Sequence, residues 1–304
     1  MRRAMTDPEP LVSVIVPTHN RAGYICAAVD SVLQQRDVAH EVIVVDDRST
    51  DDTLGVLRQF DDAVRVVSTD SNIERGAARN LGASAARGRL LAFLDSDDIW
   101  MPDKLAAQVP PALAGRPSVT GYVVIDAEGS RLGGPQVPRP PGRGSVLFDN
   151  PYVGGPSSLV VPTDLFSSVG GFRTKRELQG SEDWIFFSEL RAHGADPLVI
   201  PDPLIGYRRH PGSSTSTAAN LARSMWSAVG YMEEAGLVDS ASLPRLRART
   251  ASVIARNFAI TGDWGATYRW SKEVLTSNSV HGPMALAGVA RSVAGRLLRS
   301  VRAG

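Results

Sequence analysis

The chain has 304 residues, 43% of them hydrophobic, and a formal net charge of +1. That length suits one large domain with an extension, and the near-neutral balance gives no electrostatic case for nucleic acid as a partner. The single cysteine, Cys26, excludes an internal disulfide and fits a reducing, cytoplasmic setting. No apolar h-region follows the two arginines of MRRAMTDPEP, and no apolar run is long enough to span a bilayer. The expectation is a soluble or peripherally attached protein with a flexible stretch at 1–10.

Residues 11–18, LVSVIVPT, form an apolar β-rich run stopped by Pro17 and read as a buried strand. Apolar residues at helical spacing follow in 21–35. A second buried strand, 40–49, ends in Asp46 and Asp47. The stretch 50–60 opens on Thr and Asp, as capped helices do. A third strand is read at 64–69, a small-residue helix at 74–88, a fourth strand at 89–95 and a helix from Pro102. This alternation predicts an α/β fold with a doubly wound, mostly parallel sheet, in which ligands sit beyond the carboxyl ends of the strands. Three polar clusters fall at such ends: Pro17–Arg21, Asp46–Asp47 and Asp95–Asp98. The fold is expected to gather them on one rim.

From 116 to 150 the texture turns to Gly, Pro and Arg, which reads as a long loop around a short hairpin at 119–132. A strand and a short helix are read in 154–172, then a helix at 180–194 with an acidic first turn. Residues 196–215 read as a strand and a polar loop. After Ser216 the pattern is helical, with breaks near Pro244, Gly262 and Gly282-Pro283.

Each cluster admits two chemistries. Asp95 and Asp97, at an i, i+2 spacing, either face one hard cation such as Mg²⁺ or Mn²⁺, or cap the next helix. Asp46 and Asp47 leave one carboxylate to cap a helix and one to accept an N–H from a base. His19 is a ring to stack on a base or a loop histidine. Arg75 and Arg79 reach a phosphate or lie on a solvated helix face. Glu182 and Asp183 suit the helix dipole, and a carboxylate there can also act as a general base. His210 can add an imidazole to a metal, and Arg208 and Arg209 can hold phosphates.

Taken in order, VSVIVPTHNR, EVIVVDDRSTDDT, RGAARNLGASAARGRLLAFLDSDDIWMPDKL and GSEDWIFFSEL resemble family 2 glycosyltransferases, which have the GT-A fold. The resemblance covers 11–215. It implies an inverting transferase that uses a nucleotide-diphosphate sugar, UDP-linked by preference, and Mn²⁺ or Mg²⁺. By position it places Pro17, His19, Arg21 and Asp47 at the nucleotide, with Arg75, Arg79 and Asp95 near the base or diphosphate. Asp98 and Glu182 would face the donor sugar, Asp97 and His210 the metal, and Asp183 would be the base. Arg48 stands where glycine is common, and His19 where tyrosine is common. The acceptor implied is a glycan or lipid-linked glycan. The rivals are a sugar nucleotidyltransferase, against which the glycine-poor PTHNRAGY counts, and a non-catalytic nucleotide-sugar-binding protein.

Residues 216–304 lie outside the resemblance and read as a C-terminal helical extension. Its last segment, if helical, gathers Leu286, Val289, Val293, Leu297 and Val301 opposite Arg291, Arg296, Arg299 and Arg302. Such a helix packs on the catalytic domain or on a second subunit, as in a homodimer, or lies on an anionic membrane. Gly288 and Gly295 favour packing.

Overall fold

Alternate residues of the first strand point to opposite faces, and both faces are buried. The computed structural model describes residues 10–138, 155–210, 212, 217–277 and 286–293. These fall into two compact units, 10–138 with 155–210, and the residues from 212 onward.

In the first unit, β1 (Val12–Thr18), α1 (Ile25–Leu33), β2 (His40–Asp46), α2 (Thr53–Leu57), β3 (Arg65–Ser68), α3 (Glu74–Ser84) and β4 (Leu90–Phe93) follow the predicted alternation. After them come β5 (Ile99–Trp100), α4 (Lys104–Leu113), β6 (Ser118–Ile125), β7 (Val160–Pro162), α5 (Thr163–Val169), α6 (Glu182–Ala192) and β8 (Leu198–Arg208). The sheet order is β3-β2-β1-β4-β7-β6-β8-β5. The pairs β1/β2, β2/β3, β1/β4 and β6/β8 are parallel, and β7 and β5 pair antiparallel with their neighbours.

The period-2 rule places the core. Val12, Val14 and Val16 join one apolar layer with Ile25, Val29 and Val32 of α1 and Leu105 and Val109 of α4. Ile15 turns to the other, with Ala78 of α3, Phe166 of α5, and Phe186 and Phe187 of α6. Gly82 lets α3 lie flat on the sheet, since a Cβ there would stand 2.4 Å from Ile15 Cγ2.

One expectation needs adjusting: the helix read at 74–88 ends at Ser84. The hairpin expected at 119–132 is present, with β6 bending back through bridges Ile125–Arg131 and Tyr122–Gln136. β6 bulges at Gly121, where a Cβ would meet Pro201 O at 2.7 Å.

The second unit is helical: α7 (Ala218–Glu234), α8 (Leu243–Thr261) and α9 (Trp264–Thr276). Pro244 sits in the first turn of α8, and Gly262, at φ 89°, ends it. Asp263 then caps α9 by accepting from Ala266 N–H at 2.8 Å. Ala248, Ala251 and Val274 form its small core with Trp226, Trp270 and Leu286. Residues 286–293 are helical, and Val289 is buried, so this part of the amphipathic segment packs its apolar side inward. Leu297, Val301, Arg296, Arg299, Arg302 and the break at Gly282-Pro283 lie outside the described residues. Among the described residues no helix is long and apolar enough to cross a membrane.

Candidate active site

The chain leaves β1 towards β2 and β3 on one side and returns to β4 on the other. The crevice beyond the carboxyl ends of β1 and β4 is the switch point at which such sheets bind ligands. Contacts tie the sequence-predicted residues together there.

Asp47 follows β2 and is buried. Its carboxylate accepts from Thr69 Oγ1 (3.1 Å), Asn72 Nδ2 (3.0 Å), Ile73 N (2.7 Å) and Glu74 N (2.9 Å). It thereby holds the start of α3, where Glu74 has a φ of 69°. The capping role therefore falls to Asp47. Asp46 Oδ1 and Thr18 Oγ1, in residues that are register partners across β1 and β2, are buried polar atoms with no hydrogen-bond partner among the described residues. Asp46 thus carries the spare acceptor, whereas the resemblance points to Asp47. Pro17, one residue back in β1, is buried and pairs with Val45.

His19 is exposed but its ring is fixed. Nδ1 lies 2.7 Å from Asp47 O and Nε2 3.2 Å from Asn20 Nδ2, so the proton sits on Nδ1 and the ring face stays open. Asn20, at φ 52°, accepts from Thr50 N at 2.6 Å and fastens β1 to the loop after β2.

The Asp95–Asp98 turn closes with Asp98 N donating to Asp95 O at 3.0 Å. Three carboxylates tolerate this proximity because each has a different partner. Asp95 pairs with Arg79 at 2.5 Å. Asp97 Oδ2 lies 2.9 Å from His210 Nε2 and 3.6 Å from Arg21 Nε. Asp98 accepts from Ser157 Oγ (2.6 Å) and Arg208 N (2.8 Å). Burial, then the charges of Asp97 and Asp95, holds the Asp98 carboxyl well above the usual carboxylate range. With both oxygens engaged and 1% exposure, Asp98 works as a strut rather than facing outward to a sugar.

Arg79 joins the two halves of the rim. Fully buried in α3, it pairs with Asp95 and, at 2.7 Å, with Glu182 at the start of α6. Burial alone would lower its pKa, but the two carboxylates raise it, so the guanidinium stays charged. Arg75 Nε lies 3.9 Å from Glu182, whose other oxygen accepts from Gly180 N at 2.5 Å. Glu182 is therefore bound up with arginines and backbone. Its neighbour Asp183 accepts from Trp184 N at 2.7 Å and remains partly exposed. Desolvation, then the charge of Glu182, pushes its carboxyl up to about 6, against the opposing pull of Trp184 N–H and Arg79. A carboxylate poised near neutrality at a crevice suits proton abstraction.

Arg208, one of two arginines expected at phosphates, instead donates to Asp97 O (2.7 Å) and Ala127 O (2.7 Å) and is buried. Sequence reasoning missed Ser157, which is buried after the 139–154 stretch. Its Oγ accepts from Asp95 N (3.0 Å) while donating to Asp98, and its carbonyl accepts from Trp100 Nε1 (2.9 Å). Tyr24 was missed too; its ring lies 4.6 Å from that of His210. A serine in PSS and a tyrosine after PTHNRAG carry no sequence signal of their own.

Among the described residues no group of three or more His, Cys, Asp or Glu side chains is gathered around a metal position. Asp97 and His210 nonetheless offer two adjacent ligands, and Mg²⁺ or Mn²⁺ commonly takes its remaining ligands from water and substrate phosphates. The donor set fits such an ion.

The glycosyl transferase family 2 model matches residues 13–160. The chain is similar to the putative teichuronic acid biosynthesis glycosyltransferase TuaG of Bacillus subtilis, at 42% identity over 42% of this chain and 53% of that one. It is 41% identical to UDP-Glc:alpha-D-GlcNAc-diphosphoundecaprenol beta-1,3-glucosyltransferase WfaP of Escherichia coli over 33% of this chain and 40% of that one. It thus spans about half or less of these relatives' lengths. It is also 30% identical to the uncharacterized glycosyltransferase RP339 of Rickettsia prowazekii, over 69% of this chain and 68% of that one. Among solved structures, S. aureus TarS 1-349 in complex with UDP-GlcNAc superposes with a TM-score of 0.63 at 20% identity, covering 93% and 89% of the two chains. The mannosyltransferase PcManGT of Pyrobaculum calidifontis, in complex with GDP-Man and Mn²⁺, gives 0.58 at 20% identity over 93% and 80%. At that identity the likeness carries the fold alone, the GT-A sheet. From the family model, and from likeness to RP339 over two thirds of both chains, the chain belongs to glycosyl transferase family 2.

Proposed function

We propose that the protein is an inverting glycosyltransferase that moves a sugar from a nucleoside diphosphate, UDP by preference, to a hydroxyl of a glycan or lipid-linked glycan. The observation that carries this is the Arg79 bridge. It joins Asp95 of the Asp-x-Asp turn to Glu182, next to Asp183, which supports reading the two as a diphosphate handle and a base on one rim. The UDP-GlcNAc of TarS and the lipid diphosphate in the WfaP name support the choice of donor and acceptor.

In this reading the open face of His19 stacks on the base, and Asp46 and Asp47 shape its edge. Arg21 and Arg75 lie where they can meet the diphosphate. Asp97 and His210 would hold Mn²⁺ or Mg²⁺, which supplies positive charge against the diphosphate leaving group. Asp183 takes the proton from the acceptor hydroxyl as its oxygen attacks the anomeric carbon. The bond from that carbon to the phosphate oxygen breaks, and its electron pair leaves on the diphosphate. A single displacement of this kind inverts the anomeric centre.

A thermal-shift panel of nucleotide sugars with Mn²⁺ identifies the donor, because a ligand bound only by the native state raises the melting point. Product analysis by NMR then reads the anomeric configuration. Retention of configuration, or indifference to every nucleotide sugar, overturns the proposal.

A further inference from the structure

The second unit carries charge and apolar surface that the transferase reading does not use. Residues 211–304 hold 11 Lys and Arg against 5 Asp and Glu, a net of +6, while the whole chain is +1, so the rest is −5. A chain that segregates charge in this way is built for a charged partner.

α9 shows where. Its buried side is Ala266, Thr267 and Val274, with Trp270 turned into the small core. Its outer side is not a polar helix face. Trp264 is 45% exposed, Tyr268 72% and Leu275 62%. At 3.6 residues per turn these three fall within about 40° of each other around the axis. Lys272 and Arg269, both exposed and without an ion pair among the described residues, follow them on the same outer arc. The acidic residue of the helix, Glu273, lies away from the aromatic pair.

We infer that this face of α9 is a docking surface for an anionic lipid bilayer. Tryptophan and tyrosine prefer the headgroup level, where a ring is buried while its polar end stays wet. Cations on the same outer arc, Lys272 nearest, meet acidic headgroups. A second copy of the chain is a poor occupant, because an isologous contact through this face would bring the basic Lys272–Arg269 edge onto a patch where α9 offers no acid of its own beside the aromatics. No membrane-crossing segment is needed for such a contact.

The test uses the full chain and no donor or acceptor, so its failure is separate from failure of the transferase reading. Sedimentation with phosphatidylglycerol–phosphatidylcholine vesicles is compared with pure phosphatidylcholine at low and high salt. Binding to the anionic vesicles only, weakened by salt, is expected. W264S/Y268S/L275S should bind at least ten-fold more weakly and R269Q/K272Q several-fold more weakly, with unchanged circular dichroism. The inference is overturned if the wild type ignores anionic vesicles. It is overturned equally if both variants bind as the wild type does, which would assign binding to the arginines near the C-terminus. A dimer in analytical ultracentrifugation that the triple variant dissolves would give the face to a second copy instead.

Discussion

Two carboxylates at the ends of the rim are treated in opposite ways. Asp47, at the end of β2, is buried with four donors on its oxygens and fixes the start of α3. Asp183, in the first turn of α6, accepts from Trp184 N–H, and desolvation, then the charge of the buried Glu182, pushes its carboxyl up to about 6. The Asp47 end of the rim is therefore built to hold a shape. The other end keeps a charge in a place that resists it. Gly155, at φ 55°, borders this end, and a Cβ there would stand 3.5 Å from Asp183 Oδ2. Stability is spent where a carboxyl is held near neutrality, as is common at functional sites.

Replacing Asp183 breaks the contrast most sharply. Asp183→Asn keeps the shape and removes the proton acceptor, so transfer should fall by about 10²–10⁴-fold. Nucleotide-sugar affinity, read by calorimetry, should stay within a few-fold of the wild type. If transfer survives, the base lies elsewhere.

Asp47→Ala should do the reverse damage. It removes the acceptor of the half-buried Thr69, Ile73 and Glu74 donors and of the exposed Asn72 amide, so the cost should be about 1–3 kcal/mol in urea unfolding. Asp47→Asn keeps one acceptor and should lose less. Equal stability of Asp47→Ala and the wild type would mean that α3 starts without its cap.

Proton linkage separates the two carboxylates further. The pKa of Asp183 is raised on folding, from an ordinary carboxylate value to about 6. Between those values the native state binds more protons than the unfolded one. The Asp183 contribution to stability is therefore greatest in acid and is lost as pH rises through about 6. The loss should be of order 1–2 kcal/mol after allowing for its partial exposure, and Asp183→Asn should be the more stable protein at pH 7.5. Catalysis has the opposite slope: kcat/KM should fall about tenfold per pH unit below pH 6 as the base is protonated. A flat profile down to pH 5 would remove Asp183 from the rate equation.

The first half of the fold was legible because its strands are apolar runs with period-2 burial and its helices carry a single apolar face. The rim was legible for the same reason: strand ends are where that pattern stops, and Asp46, Asp47 and Asp95 stand there. What was hidden depends on three dimensions. Sequence set a cap and a spare acceptor at Asp46–Asp47, but only the backbone path of residues 69–74 decides that Asp47 is the cap. Arg79 reads as a solvated helix residue until Asp95 and Glu182, the latter 103 positions away, close on it. Ser157 joins the acidic turn across 62 positions, with nothing in its neighbourhood to mark it. The hairpin that holds β6 was legible at 119–132, but its parallel pairing with β8 across the bulge at Gly121 was not.

The smallest expected effect concerns the turn that carries Asp46 and Asp47. Arg48 is exposed and has a φ of 58°, a left-handed conformation in which a Cβ costs roughly 1–2 kcal/mol. This accounts for glycine being common at the matching position of the family. The turn holds its shape through neighbours: Ser49 N donates to Asp46 Oδ2 at 3.2 Å, and Asn20 fastens Thr50 from β1. Arg48→Gly relieves the Cβ strain but gives the unfolded chain more freedom, which returns about 0.4–1 kcal/mol. The balance should leave the variant between equal to the wild type and about 1 kcal/mol more stable, read as the urea midpoint at constant slope. Arg48→Ala keeps the Cβ and should gain nothing. If alanine stabilises as much as glycine, the strain lies in the arginine side chain and not in the backbone of the turn, and the rigidity of this end of the rim would have to rest on Asp47 and Asn20 alone.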